Sequence, residues 1–263
     1  GSSSSAPADA SGSSSQANSS TSSSSANTES DLAYVQNKGT LVVGITEFEP
    51  MDYQNTDGEW IGFDADLAKE FAESLGVTVE FQLIDWDNKV MELDGKTIDV
   101  VWNGMTLTED VLAAMECSQP YLINQQVVVV PADVAEDYQT EESLADLNFA
   151  VEIGSAGCEV AQANGYSYTE VADQATALLE VASGTADAAI IDSLMAGAMI
   201  GEGTSYADMT STVALTSEEY GVGFRKGSDL AATLNEFLSG KYADGSIQTL
   251  AETYGVQDAL VQE

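Results

Sequence analysis

Asp192 closes the apolar run Ala188-Ala-Ile-Ile-Asp192. A carboxylate at the end of a buried strand stands where open α/β sheets hold their ligands, and it can accept a cation. The other role open to it is N-cap of the segment that starts at Ser193. Gly154-Ser155-Ala156-Gly157 opens a helical stretch, whose free N–H groups favour an anion. Lys89 follows Trp86 by three residues, so the two share a helix face; a solvated surface lysine fits that spacing equally well. Phe48 lies in Glu47-Phe-Glu-Pro50, a loop directly after a strand, which is an odd place for a core aromatic. These groups bind charge. The 263 residues contain no His, which removes Ser-His-Asp and Cys-His nucleophile systems and any His-ligated metal.

The elements that must carry these residues alternate. Thr40–Ile45 reads as a buried strand, Gly62–Gly76 as a helix ended by glycine, Val77–Ile84 as a strand, and Trp86–Leu93 as a short helix. Asp99–Trp102 is again a strand and Thr108 caps the helix that follows; a simple strand-to-helix turn is one of the parts open to Asn103-Gly104-Met-Thr106. The pattern then restarts: strands at 125–131, 149–153 and 188–192, helices after Gly154 and over 174–183, a strand over 220–225, and closing helices near 228–239 and 245–254. Gly95-Lys-Thr-Ile-Asp99 and Ser183-Gly-Thr-Ala-Asp187 each precede an apolar strand, a weak echo that fits two similar α/β lobes.

Composition narrows the classes. Seven Lys+Arg against 44 Asp+Glu give a net charge of −37, which excludes phosphate-backbone binding and argues against docking on an anionic membrane. No nucleic-acid partner is expected. Two cysteines exclude a zinc module or a multi-disulfide scaffold; Cys117 and Cys158 are left as either a disulfide or two thiols. No dinucleotide fingerprint, P-loop or calcium loop is present, so no cofactor is expected. Residues 1–30, half of them Ser and without a single Leu, Ile, Val, Phe, Tyr or Trp, read as a flexible natural tether, assigned as 1–31, rather than an expression tag. A signal peptide is expected to have been removed ahead of it.

Ordered blocks carry a family resemblance: Gly39–Gly44, Phe48-Glu-Pro50, Gly62–Leu67, Asp85–Lys89, Ile98-Asp99, Trp102–Thr108, Ser118–Tyr121, Gly154-Ser155, Asp187–Asp192 and Gly221–Lys226. In that order the chain resembles the bacterial extracellular solute-binding proteins, family 3, which feed polar amino acids to ABC importers. The resemblance implies an α/β fold of the two-lobe periplasmic-binding-protein type (type II) with two hinge strands near Pro120-Tyr121 and Tyr220-Gly221. Lobe 1 is then 32–120 plus 222–263, and lobe 2 is 121–221. It also implies a monomeric lipoprotein, extracellular and surface-tethered or periplasmic, with a small-molecule ligand and a membrane ABC permease as partners.

Residue by residue, the resemblance makes Phe48 and Trp86 a sandwich for the ligand side chain. It places Gly104 and Thr106 against the α-amino and α-carboxylate groups, with Asn103 orienting that loop or facing the cleft. Asp192 receives the ammonium. Val111 is the departure, because relatives carry there an Arg that clamps the carboxylate. The chain's only Arg is Arg225, at a structural position. The carboxylate then falls to Lys89 and to Ser155, Ala156 and Gly157, or the ligand is an amine without one. The rival functions are a cleft enzyme, dehydratase-like, pairing Asp192 with a Glu beside Phe48, and a surface sensing or adhesion module. The reading preferred is a non-catalytic substrate-binding component for a small amino acid or amino-acid-like ligand.

Overall fold

The computed structural model describes residues 29–263. The expected tether lies outside the described residues except at its end, and there the structure differs. The Ser30 hydroxyl caps the first helix by accepting the Ala33 N–H at 3.1 Å, and Asp31 is the first helical residue. Ser30 is therefore already part of the fold.

The first lobe comprises α1 (Asp31–Lys38), β1 (Thr40–Ile45), β2 (Tyr53–Gln54), β3 (Trp60–Ile61), α2 (Phe63–Ser74), β4 (Thr78–Leu83), α3 (Lys89–Asp94), β5 (Val100–Thr106), α4 (Glu109–Ala114), β6 (Glu116–Cys117) and β7 (Leu122–Asn124). The second comprises β8 (Gln126–Pro131), β9 (Asn148–Glu152), α5 (Ala156–Ala163), β10 (Ser167–Val171), α6 (Gln174–Ala182), β11 (Ala188–Asp192), α7 (Ser193–Met199) and β12 (Met209–Ala214). The chain returns to the first lobe through β13 (Glu218–Phe224), α8 (Leu230–Ala243) and α9 (Ser246–Thr253).

Two sheets result, in the orders β4-β1-β5-β13-β6, with β7 also on β13, and β10-β9-β11-β8-β12. β1 pairs with β4 and β5 in parallel, and β9 with β10 and β11, as βαβ connections require. Both faces of each sheet are covered, so neighbours on one strand serve different cores. Val100 and Trp102 join one apolar cluster, Val101 and Met105 another. The first cluster continues through Tyr121 and Tyr220 to Val127, Ala189 and Met195, so the two sheets share an apolar interior where the chain crosses.

The crossings lie a few residues deeper into lobe 2 than expected. Leu122–Asn124 pairs antiparallel with Glu218–Tyr220, and this ladder holds both segments in the first sheet. The passage falls between Asn124 and Gln126 on the way out and between Ala214 and Glu218 on return. A second correction concerns the end of β5, expected at Trp102, which runs on through Thr106, so the alternative turn over Asn103–Thr106 does not form. The register against β13 shifts between Gly221 and Gly223, and Gly104 sits at φ 53°, a bulge conformation that suits glycine. Cys117 and Cys158 lie on different lobes as free thiols.

Three of the seven basic residues secure α1 to the first lobe. Arg225, just past β13, reaches Asp31 at 2.7 Å and Asp99 at 2.9 Å, and donates to the Ile98 carbonyl at 2.8 Å. Lys38 reaches the other oxygen of Asp99 at 2.6 Å. Lys38, Lys96 and Arg225 all lie over the Tyr34 ring. Asp99 is fully buried, so removing Arg225 leaves much of its charge uncompensated. Arg225→Ala is expected to lower stability by about 3–5 kcal/mol. Urea unfolding checks this, and a loss under about 1 kcal/mol contradicts the assigned role.

Candidate functional site

A cavity of about 300 Å³ lies between the lobes. From the first lobe it is lined by Phe48, Trp86, Asp87, Lys89, Asn103, Met105, Thr106, Asp110 and Val111, and from the second by Glu152, Gly154, Ser155, Ala156, Glu159, Gln174 and Asp192. The lobes meet at its edge, where a Cβ on Gly154 would stand 2.6 Å from Asp87 Oδ1. Of the residues picked out in the sequence, Gly104 and Gly157 alone do not line it. Gly104 is wedged under Phe48 and Tyr220, and its N–H donates to Asp64 Oδ2 at 2.6 Å. Gly157 is packed against Gln126 Oε1 and the Ile190 carbonyl.

The remaining candidates take specific parts. Asn103 is tied to Thr46: its Oδ1 accepts the Thr46 N–H at 2.9 Å and its Nδ2 donates to the Thr46 hydroxyl at 2.7 Å. It fixes the ends of β1 and β5 against each other. The Thr106 hydroxyl donates to Glu218 at 2.9 Å. Thr108 caps α4 through the Val111 N–H, so Val111 turns its apolar side chain toward Trp86, Met105 and Met115. Phe48 is both cavity wall and core, edge-on to Tyr220 at 6.4 Å. Ser155 caps α5 by accepting the Cys158 N–H at 3.1 Å. The N–H groups of Ala156 and Gly157 occupy the first turn, where a helix offers them no internal partner.

Lys89 is buried beneath the cleft rather than solvated. Its Nζ lies 4.6 Å from the centre of the Trp86 ring, so the aromatic face expected to meet the ligand already carries a cation on one side. Lys89 makes no ion pair among the described residues. Burial lowers its pKa, and the carboxylates of Glu152, Asp87, Glu159 and Asp110 oppose that shift.

On the facing wall, both oxygens of Asp192 are engaged. Tyr220 OH donates to Oδ2 at 2.5 Å and Gln126 Nε2 to Oδ1 at 2.8 Å. Desolvation, and then the charge of Glu218, push its carboxyl up to about 7 despite those bonds. Glu152 was missed in the sequence, although it ends β9 as Asp192 ends β11, and the rule that selected one selects the other. It is 3% exposed, its Oε2 is buried without a hydrogen-bond partner, and burial raises its pKa well above the usual carboxylate range. Asp87 lines the cavity too.

Hydrogen bonds and aromatic packing, all buried, link this wall to the first lobe. Tyr121 OH donates to Asp64 Oδ1 at 2.7 Å, and the Tyr121 ring lies 6.4 Å from that of Tyr220. Desolvation holds Asp64 near 7 as well. Among the described residues no His, Cys, Asp and Glu cluster could hold a metal, and no helix is long and apolar enough to cross a membrane.

Residues 41–257 match the bacterial extracellular solute-binding proteins, family 3. The chain is 29% identical over 230 residues to the L-cystine-binding protein TcyJ of Escherichia coli K12, covering 86% of each. It is 25% identical over 173 residues to a cyclohexadienyl dehydratase of Pseudomonas aeruginosa, covering 64% of this chain and 65% of that one. Among solved structures, a mutant of ArgBP from T. maritima superposes with a TM-score of 0.79 at 32% identity, covering 85% of this chain and 98% of that chain.

The raised carboxyls set a pH dependence. A carboxyl that titrates near 7 when folded and near ~4 when unfolded stabilises the fold below about pH 4, and that contribution is lost as pH rises through 7. The ligand-free protein is therefore expected to melt at lower temperature as pH goes from about 4.5 to 8. Asp192→Asn should flatten the slope, by an amount of order 4 kcal/mol at most. Melting curves across that range test it; an unchanged slope in the folded variant contradicts the assignment.

Proposed function

The chain belongs to the bacterial extracellular solute-binding proteins, family 3, and we propose that it captures an amino acid between its lobes for an ABC importer. The observation that carries this reading is the distribution of charge in the cavity. Lys89 stands on the first-lobe wall without an ion pair, and Asp192 and Glu152 stand on the second-lobe wall. A dipolar ligand satisfies both walls when its carboxylate faces Lys89 and the N-terminal turn of α5 and its ammonium faces Asp192. Lys89 then does the work that an Arg at position 111 would do elsewhere. Phe48 and Trp86 supply the apolar sides. A cavity of about 300 Å³ is at the small end for a small-molecule site and suits a ligand of amino-acid size.

The relatives support this reading, since TcyJ, matched over 86% of each chain, is named as a binding protein. On this reading the protein is a monomer that works outside the cytoplasm, held to the cell surface by its Ser-rich leader as a lipoprotein, and delivers ligand to a membrane permease. It turns over nothing. The dehydratase relative, together with two carboxyls poised to hold protons in the cavity, supplies the competing reading of an eliminating enzyme.

A thermal-shift panel of the common L- and D-amino acids and simple amines tests the proposal. A ligand at about 100 times its Kd adds roughly 2.7 kcal/mol of stability. At least one α-amino acid is expected to bind. Asp192→Ala should weaken it by about 2–5 kcal/mol, and Lys89→Met by a similar amount. An amine that keeps its affinity in folded Lys89→Met points instead to a ligand without a carboxylate. Proton NMR of the bound ligand over hours should show no conversion; appearance of an elimination product would establish the enzyme.

A further inference from the structure

With its carboxyls ionised, the cavity would hold more negative charge than an ordinary amino acid can compensate. Its buried walls contribute one cation, Lys89, and two carboxylates, Glu152 and Asp192. A zwitterion without side-chain charge leaves that balance one unit negative. Closing such a site in low dielectric costs free energy unless a carboxylate takes up a proton. The two carboxylates also differ in how they are occupied. Asp192 has a donor on each oxygen, whereas Glu152 Oε2 is buried with none. An orphaned acceptor of this kind in a ligand cavity is short of one donor. At the mouth, Asp87, Asp110 and Glu159 are exposed, and their field draws cations inward.

We infer that Glu152 is a second cation acceptor, and that the ligand class is an amino acid with an additional positive charge on its side chain. This inference rests on the amino-acid reading above and names the ligand class within it. The α-ammonium is taken by Asp192, the side-chain ammonium or guanidinium by Glu152, and the carboxylate by Lys89, so that the closed site is neutral. Glu152 is faced by Asp192, Asp173 and Lys89. Asp192 is faced by Glu218 and Tyr220, and Lys89 by Asp87, Glu159 and Asp110. The cation must displace protons that burial keeps on Glu152 and Asp192, so its binding releases protons and strengthens as pH rises toward 8.

Isothermal titration of the full chain at pH 7.5 with matched pairs tests this: L-lysine against L-norleucine, and L-arginine against L-citrulline. The cationic member of at least one pair is expected to bind more than tenfold tighter than its neutral partner. Repeating the titration in two buffers of different ionisation enthalpy should report proton release. Glu152→Gln, which keeps size and removes charge, should shrink the preference to within about threefold. Melting of that variant establishes that it is folded. Equal affinities within both pairs, or a preference unchanged in the folded variant, overturn the inference and leave the amino-acid reading standing. So does failure of all four ligands while another α-amino acid of the thermal-shift panel binds. Failure of every α-amino acid overturns both.

Discussion

The hydrogen bond from Tyr220 to Asp192 joins the two halves of the molecule. Tyr220 belongs to β13 in the first sheet, and Asp192 ends β11 in the second. Gln126 then donates to both Asp192 and Glu218. Glu218 collects further bonds from Thr106, Asn124 and Thr216, so one carboxylate takes donors from the first lobe, an outgoing strand and the return segment. The atoms that set the angle between the lobes are therefore bonded to a carboxylate that lines the ligand cavity. The groups that tie the second lobe to β13 and the groups of the cavity wall thus belong to one hydrogen-bond network.

Charge is the second constraint. With 44 acidic and seven basic residues, the protein cannot pair its carboxylates generally. It leaves most in solvent and gives its cations to a few places. Lys38, Lys96 and Arg225 fix α1 around Tyr34 and Asp99. Lys89 alone enters the cleft. The carboxyls buried without a cation, Asp52 and Asp64 in the first lobe and Asp192 and Glu152 at the cleft, are all displaced upward by desolvation. Such groups sit ready to exchange a proton for a cation.

Much of this was legible in the chain. Apolar periodicity located β1, α2, β4, β8, β9, α6 and β11 to within about two residues, because strands buried on both faces and helices with one buried face leave distinct spacings. Asp192 was legible as a charge closing an apolar run, and the loss of the usual Arg was plain at Val111. Short edge pieces were not. β6 and β7 have two and three residues, too few to show a period, and they exist because β13 offers them a partner. For the same reason the crossing points shifted: the ladder between β7 and β13 is a long-range pairing with no local signature.

The sequence by itself determined the two α/β halves, the carboxylate at the end of β11 and the absence of histidine chemistry, since these follow from composition and local spacing. Only tertiary structure decided the occupancy of each polar group. Lys89 reads equally as a surface lysine or a cleft cation until the fold buries it against Trp86. Glu152 reads as one acid among 44 until burial leaves one of its oxygens without a donor. Thr106 reads as a ligand contact, and Asn103 as orienting its loop or facing the cleft; the fold gives their hydrogen bonds to Glu218 and Thr46 while both still line the cavity. Whether a charged side chain is solvated, paired or waiting for a partner depends on what packs against it from distant parts of the chain, and no local pattern encodes that.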